Sequence, residues 1–243
     1  MGPDRRQRTW LLLVLSDFIM SFMWVWSSVL IKMFVYTSLG FHHHNLKAEI
    51  LKNSISVINM FLFAYLAKLT NGGAYNPLTV LSSAISGNFP QFLFVVGARI
   101  PAQVFGSISG VRLIRETFPT IGTGPKLSVD IHQGALTEGT LTFLIVIVSL
   151  GLSRNIPGSF YMKTWISSLS KLTLHVLGSD LTGGCMNPAS VMGWAYARGD
   201  HITKEHILVY WLAPIEATLL ANFAFKLLVV RRQEKEKKLE KTE

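Results

Sequence analysis

The stretch "TNGGAYNPLTV" at residues 70–80 returns as "LTGGCMNPASV" at residues 181–191. Aligned at one constant offset, the copies share a Gly-Gly pair, an Asn-Pro pair and a final Val. Each copy follows one apolar span and precedes another. Six such spans can be read, at roughly 10–34, 48–69, 89–111, 134–153, 161–178 and 206–230. Each is near the ~20 residues that a helix needs to cross hydrocarbon. Three spans and one turn therefore make each half, at about 10–115 and 130–230. An odd number of spans per half forces the halves into opposite orientations, related by a pseudo-two-fold axis in the membrane plane. The two turns then enter from opposite faces.

After each Asn-Pro comes a short, moderately apolar run, "LTVLSSAISG" and "ASVMGWAYARG". About ten residues make ~15 Å of helix, half of a ~30 Å hydrocarbon core. Neither run can span alone, but two meeting end to end can. Asn is a strong N-cap and Pro suits the first helical position. Gly72, Gly73, Gly183 and Gly184 allow tight turns where another backbone or a solute comes close. The expected fold is an all-α membrane protein with six transmembrane helices and two re-entrant half-helices in an inverted repeat. It forms one channel domain over 1–232 with a charged tail at 233–243. Non-helical backbone at that depth is tolerated only where it lines a cavity or is buried in protein. Two helix N-termini facing each other carry roughly half a positive charge each, and repel cations. With the Asn76 and Asn187 oxygens used as caps, their NH2 groups are expected to be donors toward the cavity. A water accepting from both points its hydrogens toward the mouths, which interrupts a proton-conducting chain.

Composition agrees with a membrane protein. Charged residues make up 15% and hydrophobic ones 49%, where a soluble domain carries about 25% charged. Arg5, Arg6 and Arg8 precede the first span. That span is too long for a signal peptide, is interrupted by Asp17, and is followed by no small-residue cleavage site. Basic residues gather again at Arg231, Arg232, Lys235, Lys237, Lys238 and Lys241, so both termini are expected on the cytosolic side. The C-terminal tail mixes both signs and reads as a solvated, flexible end rather than a nucleic-acid site. The single cysteine, Cys185, excludes an intramolecular disulfide framework. No Cys/His spacing resembles a zinc site, and His42, His43 and His44 read as a solvated loop rather than a metal cluster. No nucleophile, base and orienting group occur together, and there is no phosphate loop. The chain is therefore not expected to be an enzyme or to carry a cofactor.

At this point the sequence resembles the aquaporins, or major intrinsic proteins. "GGAYNP" and "GGCMNP" are similar to the two pore motifs, which places Asn76, Pro77 and Leu78 opposite Asn187, Pro188 and Ala189. "HQGALTEGTLTF" resembles the start of the fourth helix, with Glu138 at its acidic position. Asp17 stands where the first helix normally carries Glu. Gln103 in "AQVFGSISG" resembles the third-helix pattern and "YWLAP" the start of the sixth. The nearer resemblance is to the second subgroup of plant small basic intrinsic proteins. It rests on the basic tail, Asn-Pro-Leu in the first motif, and "GPKL", "IPGSFYMKTWI" and "GWAYARG".

That resemblance implies a homotetramer with one pore per subunit, or heteromers, in the endoplasmic reticulum membrane. It implies that Asp17 and Glu138 brace the re-entrant loops by accepting hydrogen bonds from backbone donors. It also places an outer filter at Ser56, His175, Gly184 and Ser190. Water-selective members carry an aromatic residue at the first of these positions and Arg at the last. Two serines remove a wall and a fixed cation with its donors, so the filter should be wider and less electropositive than a strict water filter. His175 becomes its only large polar side chain. Leu78 in place of Ala either narrows the midplane or pushes the half-helix away. Arg99 and Glu216 lie inside spans, where charges are functional candidates by default. An ion pair, a subunit contact or snorkelling would account for Arg99. Cys185, two residues before Asn187, reads as close to the pore and open to mercurials. The function implied is a passive channel for water and small neutral solutes such as hydrogen peroxide. A second reading is a non-conducting subunit or scaffold that modulates partner channels. An active transporter ranks third, for want of a coupling-ion site.

Overall fold

The computed structural model describes residues 3–42, 45–154 and 156–239. His43 and His44 lie outside them, and the histidine cluster with them. The chain forms α1 (Pro3–Met33), α2 (Leu46–Leu69), α3 (Pro77–Ile85), α4 (Phe89–Phe94) and α5 (Ile100–Thr117). It continues as α6 (Ile131–Arg154), α7 (Phe160–Gly178), α8 (Pro188–Arg198), α9 (Lys204–Ile207) and α10 (Ala213–Leu239). No strand occurs among the described residues. Wider, π-type turns at Phe34–Ser38, Val95–Arg99 and Leu208–Leu212 continue the helices on either side. So α4 and α5 make one rod, and α9 and α10 make another. In each half, the rod that follows the half-helix carries one of these turns. Such turns recur at functional sites, and here the last two send Arg99 and Tyr210 back to the re-entrant loops.

Five rods are long and apolar enough to cross a membrane: Thr9–Ser38, Leu46–Leu69, Phe89–Thr117, Ile131–Ser153 and Lys204–Val229. The sequence pattern predicts six. The remaining helix, α7, has 19 residues, or about 28 Å, so length is sufficient. Lys163 and Lys171 dilute its apolar character. It packs against α2 and α6 within the bundle.

In lipid, helices associate through close packing more than through a hydrophobic driving force, so small residues mark the contacts. Gly106 and Gly110 of α5 face α1. A Cβ at Gly106 would lie 2.2 Å from the Phe18 carbonyl oxygen, and one at Gly110 would lie 2.6 Å from Val25 Cγ2. On the other side of α5, a Cβ at Gly193 of α8 would lie 2.8 Å from the Ser107 carbonyl oxygen. Helix α5 is thereby clamped between the first rod and the second half-helix. Val25, Val29, Val111, Ile114 and Trp194 fill the space beside this contact. The outer faces stay apolar and exposed, as at Leu62, Phe105, Leu220 and Phe223, which suits a lipid surround.

The α10 backbone stays helical to Leu239.

Candidate functional site

The half-helices are α3, with 9 residues, and α8, with 11. They are about 14 and 17 Å long, and their N-termini meet. Pro77 and Pro188 open them, where no N–H is needed. The Asn76 side-chain oxygen accepts from the Leu78 N–H at 3.0 Å, and that of Asn187 from the Ser190 N–H at 3.3 Å. Each amide nitrogen then reaches the opposite turn. Asn76 Nδ2 donates to the Met186 carbonyl at 2.7 Å, and Asn187 Nδ2 donates to the Tyr75 carbonyl at 3.2 Å. The expectation that both NH2 groups point wholly into the cavity is corrected here. One N–H of each amide ties the two turns together, and the other makes no hydrogen bond to a described residue. The reason is local: the carbonyls just ahead of each Asn lie outside any helix and need donors.

Each loop is braced by a carboxylate from the first helix of its half. Asp17, fully buried, accepts from the Ala74 N–H at 2.7 Å. It also takes both Arg99 Nε at 2.6 Å and an Arg99 guanidinium NH2 at 2.8 Å. The same NH2 donates to the Gly72 carbonyl at 2.5 Å. Of the three accounts open for Arg99, the structure shows the ion pair. In the second half Glu138 accepts from the Thr182 hydroxyl at 2.6 Å and from the Cys185 and Met186 N–H groups at 2.8 Å each. Tyr210, in the wide turn of the last rod, donates its hydroxyl to the Thr182 carbonyl at 2.9 Å. Met186 sits at φ +46°, a conformation that β-carbon crowding disfavours; the Glu138 bond and the Asn76 bond hold it there.

Sequence reading misses Thr70, Thr182, Tyr210 and the strained Met186. The threonines leave a signal, since one stands one or two residues ahead of the Gly-Gly pair in each loop, and Tyr210 opens the "YWLAP" match. Thr70 Oγ1 accepts from the Gly73 N–H at 3.1 Å and Thr182 Oγ1 from the Gly184 N–H at 3.2 Å.

The profile of the family described as major intrinsic protein matches residues 6–225. The chain belongs to the major intrinsic protein family. It is 60% identical to the probable aquaporin SIP2-1 of Arabidopsis thaliana over 228 residues, covering 93% of this chain and 96% of that one. It is 49% identical to the aquaporin SIP2-1 of Zea mays over 242 residues, covering 98% and 96%. These are similarities to small basic intrinsic proteins of the second subgroup. The aquaglyceroporin of Plasmodium falciparum shares the fold at a TM-score of 0.67 and 16% identity, over 90% of this chain and 97% of that one. This major intrinsic protein is thus a multi-pass integral membrane channel protein and not an enzyme.

Of the four residues expected at the outer filter of this major intrinsic protein, Ser56 lies on α2, His175 on α7, Gly184 in the second loop and Ser190 on α8. His175 Nδ1 lies 3.1 Å from the Gly184 carbonyl. A carbonyl only accepts, so Nδ1 carries the hydrogen, and Nε2 of the neutral ring is an acceptor. Gly184 is at φ +52°, and a Cβ there would lie 2.4 Å from the His175 carbonyl oxygen. No other residue fits so close to α7. The Ser56 hydroxyl donates to the Lys52 carbonyl at 2.8 Å, which leaves its lone pairs outward. Ser190 lies on the first turn of α8 and is half-buried. Lys32 and Lys52 both act electrostatically on His175. Lys52 is itself paired with Glu49 at 2.5 Å, and Glu49 accepts from the Tyr36 hydroxyl at 2.5 Å. Sequence reading gave these mouth lysines no role.

Three other positions are now placed. Leu78 is 3% exposed, so its side chain is absorbed in the wall around α3 rather than presented to open space. The Cys185 side chain packs beside Val191, Val209 and Tyr210, with its thiol 3.8 Å from the Thr182 carbonyl. The residue is partly buried there. Glu216 is exposed on the outer face of α10, with no partner among the described residues.

Proposed function

We propose that this channel protein passes water passively, together with small neutral solutes such as hydrogen peroxide, as a homotetramer in the endoplasmic reticulum membrane with both termini cytosolic. The reciprocal bonds between the Asn turns carry the reading. They fix two helix N-termini face to face and leave one N–H donor from Asn76 and one from Asn187 for a passing molecule. A water accepting from both has its hydrogens turned outward, and the two positive helix ends repel cations. Ser56, His175, Gly184 and Ser190 form the outer filter. Two small hydroxyl side chains and a glycine leave it wide, and His175 Nε2 supplies an acceptor. Asp17 and Glu138 hold the loops whose backbone donors lipid cannot satisfy.

Stopped-flow swelling of proteoliposomes holding the purified protein tests this. Water flux well above that of empty vesicles is expected, with hydrogen peroxide passing and proton leak at background. Folded protein that gives no flux above empty vesicles would overturn the reading in favour of a non-conducting subunit.

A further inference from the structure

We propose that Lys171 is the fixed cation of the channel and sets its charge selectivity. The assignment rests on the channel reading above. Lys171 stands four residues before His175 on α7, hence on the same helix face. Its Nζ lies 6.0 Å from the centre of the Tyr75 ring. That ring is stacked on Trp24 with centroids 4.1 Å apart, and the Tyr75 carbonyl receives the Asn187 amide. The ammonium is therefore held beside the junction of the two half-helices.

Three other cations of the bundle are neutralised: Arg99 by Asp17, Lys52 by Glu49 and Arg198 by Asp200. Lys171 has no carboxylate or hydrogen-bond partner among the described residues, and it is half-buried within a membrane-depth helix. A charge at such depth faces the bundle interior or a water-filled space. Contact with the Tyr75 face orients the ammonium without cancelling its charge. A full unit of charge there exceeds the roughly half charge of either helix end, and all three have one sign. At low local dielectric this repels cations strongly. Neutral solutes carry no net charge and meet no such barrier. The polar character that sets α7 apart from the other five rods thereby has a use.

The test compares wild type, Lys171→Met and Lys171→Arg in proteoliposomes, each confirmed as monodisperse and folded. Water flux is read by light scattering, and potassium and proton leak by ion-sensitive dyes. Lys171→Met is expected to raise cation leak about tenfold, with water flux not reduced, while Lys171→Arg stays at the wild-type level. Unchanged leak in Lys171→Met would overturn the assignment. The two readouts separate the two claims. Leak in the variant without water flux in wild type sinks the water reading alone. Water flux in wild type without leak in the variant sinks the role of Lys171 alone. If Lys171→Met does not fold, Lys171→Gln keeps a polar end, lacks the charge, and carries the same comparison.

Discussion

At the scale of single residues, the first re-entrant loop depends on one buried ion pair. Asp17 is fully buried and the Arg99 side chain is 12% exposed. Removing one partner of such a pair leaves the other uncompensated, which costs about 3–5 kcal/mol. Asp17→Ala and Arg99→Met are each expected to lower the thermal stability of the detergent-purified protein by that much. The double variant should lose much less than the sum, because no buried charge is left over. Additive losses would show that the two residues act separately. Gly184 gives a second residue-scale prediction. A methyl group there meets the His175 carbonyl oxygen at 2.4 Å, at a backbone φ of +52°. Gly184→Ala should destabilise by about 1–3 kcal/mol, the usual range for overpacking. It should also reduce water flux, since the second loop must draw away from α7. Flux and melting temperature at wild-type values would remove the close approach from the account.

At the scale of elements, what the sequence discloses is what local chemistry decides. Asn followed by Pro caps a helix whatever surrounds it, so α3 and α8 are legible from their first two residues. The constant offset between the copies makes their opposed entry legible too. Contacts between distant residues are not. Arg99 meets Asp17 across 82 positions and Tyr210 meets Thr182 across 28, and no periodicity announces either. The direction of the Asn amides was likewise hidden, because Met186 and Tyr75 offer only backbone carbonyls, which every residue has. Helix α7 is the opposite case. Its lysines were visible, but their meaning depends on which face they share with His175. The clamp of α5 on α1 lies between these cases, since the Gly106–Gly110 spacing is readable while its partner is not. Gly106→Leu would force a side chain into the Phe18 carbonyl, 2.2 Å from the Cβ position. The expected result is loss of the monodisperse peak in fluorescence-detected gel filtration. The same change at Gly97, where nothing lies within 4 Å of the Cβ position, should leave that peak intact.

At the scale of the whole molecule, inside and outside are polar in different ways. The interior carries carboxylates, amides and lysines, and most of the charged groups are tied by hydrogen bonds or ion pairs. The outer surface of the last rod is apolar at Leu212, Leu219, Leu220, Phe223 and Leu227, and Glu216 interrupts it. This carboxylate lies twelve residues in from Lys204 and thirteen from Val229, close to the middle of the bilayer. A charged side chain at that depth of an isolated helix costs about 2.5–3.5 kcal/mol. Nothing among the described residues of the same chain offsets it. If lipid alone surrounds Glu216, replacing it with Leu removes the cost and adds a side chain matched to its neighbours. Glu216→Leu is then expected to raise stability in lipid bilayers by about 2–3 kcal/mol, with water flux per protein unchanged, because the residue faces away from the Asn pair. Thermal unfolding in nanodiscs, together with flux in proteoliposomes, measures both. A fall in stability, or dissociation of the assembly, would mean that a neighbouring subunit or helix already satisfies the carboxylate. The sign of the change therefore separates a lipid-facing charge from one that meets a protein partner.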